Sequence, residues 1–261
     1  MKTKFTFLTF LIFATITFSQ KQIEASDIMK DIKNGKSISY KNATIVGVLD
    51  FTYMDEALEK QPKRKKKSWW SNINSSNTVK KIIDVQISFK NCTFKDDVLA
   101  YFPHKDSGYT FIANFEDKVI FTNCNFERKA MFKFSRFERD TDFSGATFDD
   151  DTTFKFSKFL GNISFSNSKF AETATFKHAK FNENVSFSNS VFEESAVFKY
   201  TEFKNGVSFK STNFEEDLNI KYMNVRGDFN ITDMKVGYEI DSKYTKINGR
   251  SFNKSLLENK N

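Results

Sequence analysis

The 261-residue chain has two cysteines, two prolines, two histidines, two tryptophans and nine glycines. Two cysteines permit one intramolecular disulfide at most. The two histidines, His104 and His178, share no spacing with each other or with cysteine that would build a transition-metal site, and neither sits in a recognisable triad. No catalytic group, metal site or cofactor is therefore expected. Proline and glycine are too few for a chain with the usual density of irregular connections. Beyond the N-terminal segment, no apolar run approaches the roughly twenty residues of a membrane span. What the chain has instead is phenylalanine, 33 residues of it.

The N-terminus, "MKTKFTFLTFLIFATITFSQ", places Lys2 and Lys4 before an apolar stretch from Phe5 to Phe13, with Thr17 and Ser19 at the small-residue places of a cleavage site. Residues 1–19 read as a secretory signal peptide. No cysteine lies near the cut, so the protein is expected to be exported to the periplasm or cell exterior without a lipid anchor. Its formal charge of +7, two units of it in the leader, permits anionic partners without selecting among them.

Phenylalanine returns at alternating steps of five and six: Phe121, Phe126, Phe132, Phe137, Phe143, Phe148, Phe154, and so on to Phe214, then Ile220, Val225, Ile231 and Val236. A helix cannot carry this pattern, because five residues turn about 140° and six about 240°, putting successive rings on opposing sides. Two residues before each Phe stands a small or apolar residue such as Ala130, Ser135, Thr141, Ala146, Thr152 or Ser157. Residues two apart share a face of an extended segment, so each unit aims a small side chain and a ring the same way.

The units "SRF", "ATF", "SKF", "AKF" and "TEF" resemble the pentapeptide-repeat family, here in a variant whose units alternate between five and six residues. The resemblance implies an all-β fold, a right-handed quadrilateral β-helix. The fillers set the length of its coil. After Phe132, Phe154, Phe176 and Phe198 come "KFSR", "KFSK", "KHAK" and "KYTE", whereas after Phe143, Phe165 and Phe187 come "SGAT", "SNSK" and "SNSV". Chemistry repeats every 22 residues, which makes one four-sided coil.

The expected organisation is a signal peptide at 1–19, an N-terminal cap at 20–36, a solenoid at 37–236 with insertions at 52–82 and 95–110, and a C-terminal cap or tail at 237–261. Ser26 or Asp27 is placed to N-cap a short capping helix that ends at Gly35. With Phe111 and Phe115 counted as sides, Cys92 lies directly beneath Cys124. An oxidising destination allows a bond between them, and cysteine is equally a good small core residue.

On the outside, carboxylates recur at one corner: Asp149 to Asp151, Glu172, Glu193 with Glu194, and Glu215 to Asp217. They lack the alternating ligands and turn glycine of a calcium loop and read as a solvated edge. Another side carries Lys133, Lys155, Lys177, Lys199 and Lys221 in one column, and Phe134, Phe156, His178, Tyr200 and Tyr222 in the next. The first insertion holds "KRKKKSWW" with Trp69 and Trp70, and register places its departure on that same side. Aromatic faces beside cations suit acidic glycans or a partner protein, and clustered Lys with Trp suits anionic lipid headgroups. The preferred function is an exported, non-enzymatic envelope scaffold or binding protein. The alternative is a carbohydrate-active protein whose site the insertions build. Some family members protect DNA gyrase by imitating DNA, but a basic exported chain does not suit that role, and export likewise disfavours nucleic acid as a partner.

The leader assignment predicts that the mature protein in its native host begins near Gln20. Intact-mass measurement settles it, and a chain that keeps residues 1–19 overturns export.

Overall fold

The computed structural model describes residues 21–61 and 77–253. Through them the chain winds around four sheets, here numbered as faces in the order the chain visits them from Ile38. In the regular coils each face receives a strand of two residues, as in Thr141–Asp142, Thr147–Phe148, Thr152–Thr153 and Lys158–Phe159 for faces one to four. Such strands cannot stand alone. Each is held by parallel pairing to the coils before and after it, and residues 22 apart are partners: Thr147 with Lys169, Lys169 with Val191, Val191 with Asn213. The expected four-sided coil of 22 residues is the one observed.

The alternation of five and six is an alternation of corners. At the five-residue corners from Phe132 onward the NH three residues on donates back to the core residue's carbonyl, as in Ser157 to Phe154 at 3.0 Å and Ala146 to Phe143 at 3.0 Å. The residue between them has positive φ: Phe156 at 62° and Gly145 at 67°. This is the arrangement of a type II turn. The six-residue corners, such as Phe148 to Phe154, make room for one more residue and in most coils need no positive φ.

Inside, the rings stack in four columns. In the face-two column Phe126, Phe148, Phe170 and Phe192 lie 4.8, 4.8 and 4.5 Å apart between successive centroids, with near-parallel planes. Columns on opposite faces meet edge to face, as in Phe143 and Phe154 at 5.4 Å and 74°, the geometry the ring quadrupole favours. The small residues after the five-residue corners do more than leave space. Ser157 donates to Phe132 O at 2.5 Å, Ser168 to Phe143 O at 2.8 Å and Thr201 to Phe176 O at 2.8 Å. Each buried hydroxyl thus ties its turn to the coil beneath, which satisfies a group that would otherwise cost stability.

The ends and insertions differ from expectation. Strand β1, Lys21–Glu24, already belongs to face two and pairs with residues 43–46, so the solenoid begins before its expected start at residue 37. Helix α1 follows at Ala25–Lys33 and buries Ala25, Ile28 and Ile32 against the first coil. Its N-cap is Glu24 without a side-chain cap bond, so Ser26 and Asp27 lie inside the first turn. The β-strand before the helix supplies its entry angle. Gly35, with φ of 72°, terminates the helix as the pattern required.

The first insertion begins as helix α2, Met54–Glu59, and the chain is back in face four at Thr78–Ile83. At the second, Val98–Leu99 is an ordinary face-three strand, and Ala100 occupies the core place expected of Phe111. The extra residues instead form a hairpin between Tyr101–His104 and Tyr109–Phe115 on face four. At the C-terminal end the coils run past residue 236 to Ile247, where Arg250–Ser251 turns back antiparallel on Lys246–Ile247 and Phe252 packs against Phe229. Cys92 does stack beneath Cys124, and both are buried free thiols. The hydrogen bond with Cys92, and then burial, hold the Cys124 thiol well above its ordinary range.

This core predicts a ranked set of losses in urea titration. Phe165→Ala leaves a cavity in a column and is expected to cost about 3 to 5 kcal/mol. Asn167 is exposed, yet its φ of 59° means that Asn167→Ala costs about 1 to 2 kcal/mol, more than the effect of about 0.5 kcal/mol expected of an ordinary surface site. Asn167→Gly should be milder. Equal losses for Phe165→Ala and Asn167→Gly would overturn the assignment of inside and outside.

Candidate functional site

Of the four edges of the prism, the one between faces three and four departs most from what its backbone wants. The corresponding corner between faces one and two fills its left-handed position with Asn123, Gly145, Asn167 and Asn189, which accept positive φ easily, and then with the small polar Ser211 and Asp233. Between faces three and four the same position holds Phe134, Phe156, His178, Tyr200, Tyr222 and Tyr244, all with φ between 58° and 63°. A bulky residue there costs roughly 1 to 2 kcal/mol relative to a relaxed conformation. Six such residues in a row require a compensating interaction.

Stacking supplies it. Phe134 to Phe156 is 5.0 Å between centroids, Phe156 to His178 4.6 Å, His178 to Tyr200 4.8 Å, Tyr200 to Tyr222 4.6 Å and Tyr222 to Tyr244 4.8 Å. Down to Tyr222 the ring planes lie within 10° of parallel. The rings are nonetheless partly open to solvent, with Phe134 39 % and Tyr200 41 % exposed. Their faces are covered by one another, so what they present is edges. The expected aromatic faces for sugar rings are not on offer along this ladder.

The lysine column precedes the rings by one residue. Lys133 Nζ lies 4.9 Å from the Phe134 centroid, Lys155 5.4 Å from Phe156 and Lys199 5.5 Å from Tyr200. These side chains lean on the ladder and are half-buried, where full exposure was expected. Among the described residues Lys133, Lys155, Lys177 and Lys199 form no ion pair with a carboxylate, whereas Lys221 has Asp241 at 3.8 Å. The neighbouring cations are felt: burial, then Lys133 and Lys177, push the Lys155 pKa down. Burial, then Lys177, Lys155 and Lys199, likewise keep His178 below the ordinary imidazole value.

On the other side of the ladder lies a groove of about 560 Å³ against face four, lined by the ring edges together with Lys158, Lys180, Glu202 and Asn224. Lys180 pairs with Glu202 at 2.9 Å. Lys158 and Lys180 were not singled out from sequence, although "SKF" and "AKF" place each between two inward residues and hence outside. The edge is also where both insertions leave the solenoid. Tyr53, left-handed at 50°, ends the first coil's corner and starts α2, and its hydroxyl donates to Met29 O at 2.7 Å. Tyr101 starts the hairpin and abuts Phe134 at 5.9 Å, with Lys133 Nζ donating to its hydroxyl at 3.3 Å. Trp69 and Trp70 lie outside the described residues.

The acidic corner stands on the far side of face three and is partly neutralised, Asp151 by Lys129 at 3.3 Å and Glu193 by Lys169 at 2.8 Å. Among the described residues no three potential metal ligands gather. A second groove, about 420 Å³ on face one, lacks cations and is lined by Ser164, Ser186 and Ser208 together with Ile163, Val185 and Val207.

A family model for pentapeptide repeats matches residues 143–191 and 157–201, with nine copies of the repeat. No curated protein and no solved structure matches the chain. The matched residues, 143 to 201, are thus pentapeptide repeats, and they lie in the middle of a stack whose 22-residue register extends to the coils on either side of them.

Proposed function

We propose that this protein is an exported, non-enzymatic binding scaffold whose edge between faces three and four engages an anionic partner of the cell envelope. One observation carries the reading: four successive coils place Lys133, Lys155, Lys177 and Lys199 in a straight file without carboxylate partners among the described residues, on a ridge of rings kept at a costly backbone conformation. Solubility alone asks only for dispersed charge, not for like charges one strand apart. The other lysine ladders fit that milder role, because Lys129, Lys169 and Lys180 each pair with a carboxylate. The ladder holds the file straight, and the departure of both insertions from the same edge brings more surface to it. A basic edge is also the opposite of what a DNA mimic requires.

The reading predicts binding to acidic glycans or anionic vesicles that weakens as salt shortens the Debye length toward about 8 Å. Replacing Lys155, Lys177 and Lys199 together by Gln should weaken that binding without lowering the unfolding midpoint, since mutual repulsion is removed. Trp69→Ala with Trp70→Ala should weaken vesicle binding further. Co-sedimentation and glycan binding that are absent at low salt, or unchanged in the triple variant, would return the edge to a purely structural role.

The ladder itself makes a pH prediction. Because His178 has its pKa lowered from 6.5, the unfolded chain takes up a proton before the folded chain does. Stability is therefore full above pH of about 6.5 and falls as pH drops from there through the folded value. Thermal unfolding at pH 8 and pH 5 should show a larger loss for the parent than for His178→Tyr, and equal losses would mean that the imidazole is not held neutral by its stack.

A further inference from the structure

The anionic partner's shape follows from the edge, provided the reading of that edge above is right. Three features constrain it. The lysines stand in single file, one per coil at the same place in the turn, so their backbone positions recur at the strand spacing of about 4.8 Å along the solenoid. The rings beside them offer edges, since each ring face is covered by its neighbour at 4.6 to 5.0 Å. And the file is a crest between two different flanks, with the uncharged side chains of Met131, Thr153, Thr175 and Val197 on face three and the groove holding Lys158 and Lys180 on face four.

Single-stranded nucleic acid is poorly served, because its binders stack bases on open aromatic faces. Duplex phosphates recur every 3.4 Å or so along each strand and wind away from a straight line. A headgroup surface would meet a plane of charge better than a crest. A linear chain of 1,4-linked uronic acids satisfies all three features. It carries one carboxylate per sugar, advances by close to one strand spacing per sugar when extended, and can lie along the crest. Where the chain turns alternate carboxylates away from the file, those on the face-four side meet the groove that holds Lys158 and Lys180, and those on the face-three side stay in solvent. The hydroxyls of Tyr200 and Tyr222 and the polar rim of the groove can then hydrogen-bond to the sugars.

We propose that the crest from Lys133 to Lys221 is a track for a linear polyuronate laid parallel to the solenoid axis, one sugar to a coil. The track binds by registry: each added sugar brings one more carboxylate to a cation of the file, Lys221 exchanging its pair with Asp241 for it, and the gain stops when the chain overruns the track. Tight binding does not need any single strong contact, because linked weak contacts multiply.

Calorimetric titration of the full mature protein with oligogalacturonates of two to ten sugars tests this. The dissociation constant is expected to fall at least tenfold between the dimer and the pentamer and to level off from about six sugars onward, with a neutral oligosaccharide of equal length inert. Lys177→Gln should weaken the pentamer by up to about fivefold with an unchanged unfolding midpoint, and Lys177→Arg should restore it. A polyphosphate of equal charge, a sulfated glycan or phosphatidylglycerol vesicles binding as tightly as the pentamer, or affinity still rising at ten sugars, would overturn the track and leave an unspecific anionic edge. Failure of every anionic probe to bind would remove the edge reading as well.

Discussion

Parallel pairing at a 22-residue register is the constraint from which the other features follow. Once Thr147 sits beside Lys169 and Lys169 beside Val191, every side chain has its counterpart one strand spacing above and below. Inside, that spacing suits rings: at 4.5 to 5.4 Å between centroids, a phenylalanine column is a continuous stack. Outside, it brings like charges close enough to repel, and the chain handles the result differently at different edges. The acidic corner is relieved by lysines. The lysine file at the opposite side of face three is not.

Coil closure adds the second layer. A five-residue corner needs one left-handed residue, and its NH-to-carbonyl bond brings the next small residue inward, where a Ser or Thr hydroxyl reaches the coil beneath. One of the two such corners uses small polar residues and glycine, mostly asparagine, the inexpensive solution. The other uses Phe, His and Tyr and recovers the cost by stacking outside the core. The protein thus has a fifth column of rings, continuous with no inner column, on the edge that also launches α2 and the hairpin. Stability in such a stack is shared between neighbouring coils, so a ladder that crosses six coils stiffens the edge along its length.

Much of this was legible in sequence because a repeat reports the same decision many times. The five-six alternation, the inward pair of a small residue and a ring, the 22-residue coil and the column membership of Lys155 or Tyr200 all follow from spacing, since spacing alone decides which residues lie above one another. The short cap before residue 37 was harder. Lys21–Glu24 carries no phenylalanine, and its one core-facing side chain, Ile23 in register with Ile45, is too little by itself to mark a strand. The second insertion misled for a related reason: Ala100 stands where the pattern has a ring, and Phe111 a few residues later looked like the missing one.

Spacing could not say how the outer rings would face. Membership of one column was determined by the sequence, but whether rings turn their faces to solvent or to each other depends on the left-handed turn and on the distance to the next coil, which are properties of the assembled stack. The comparison of Asn167 with Phe156 at equivalent corners held that clue unused. In the same way "SKF" and "AKF" show that Lys158 and Lys180 point outward, while only the fold puts them in one groove with His178 and Tyr200, because residues from different corners and faces meet there. The sequence by itself determined what repeats, and tertiary structure decided which repeated groups lack a partner.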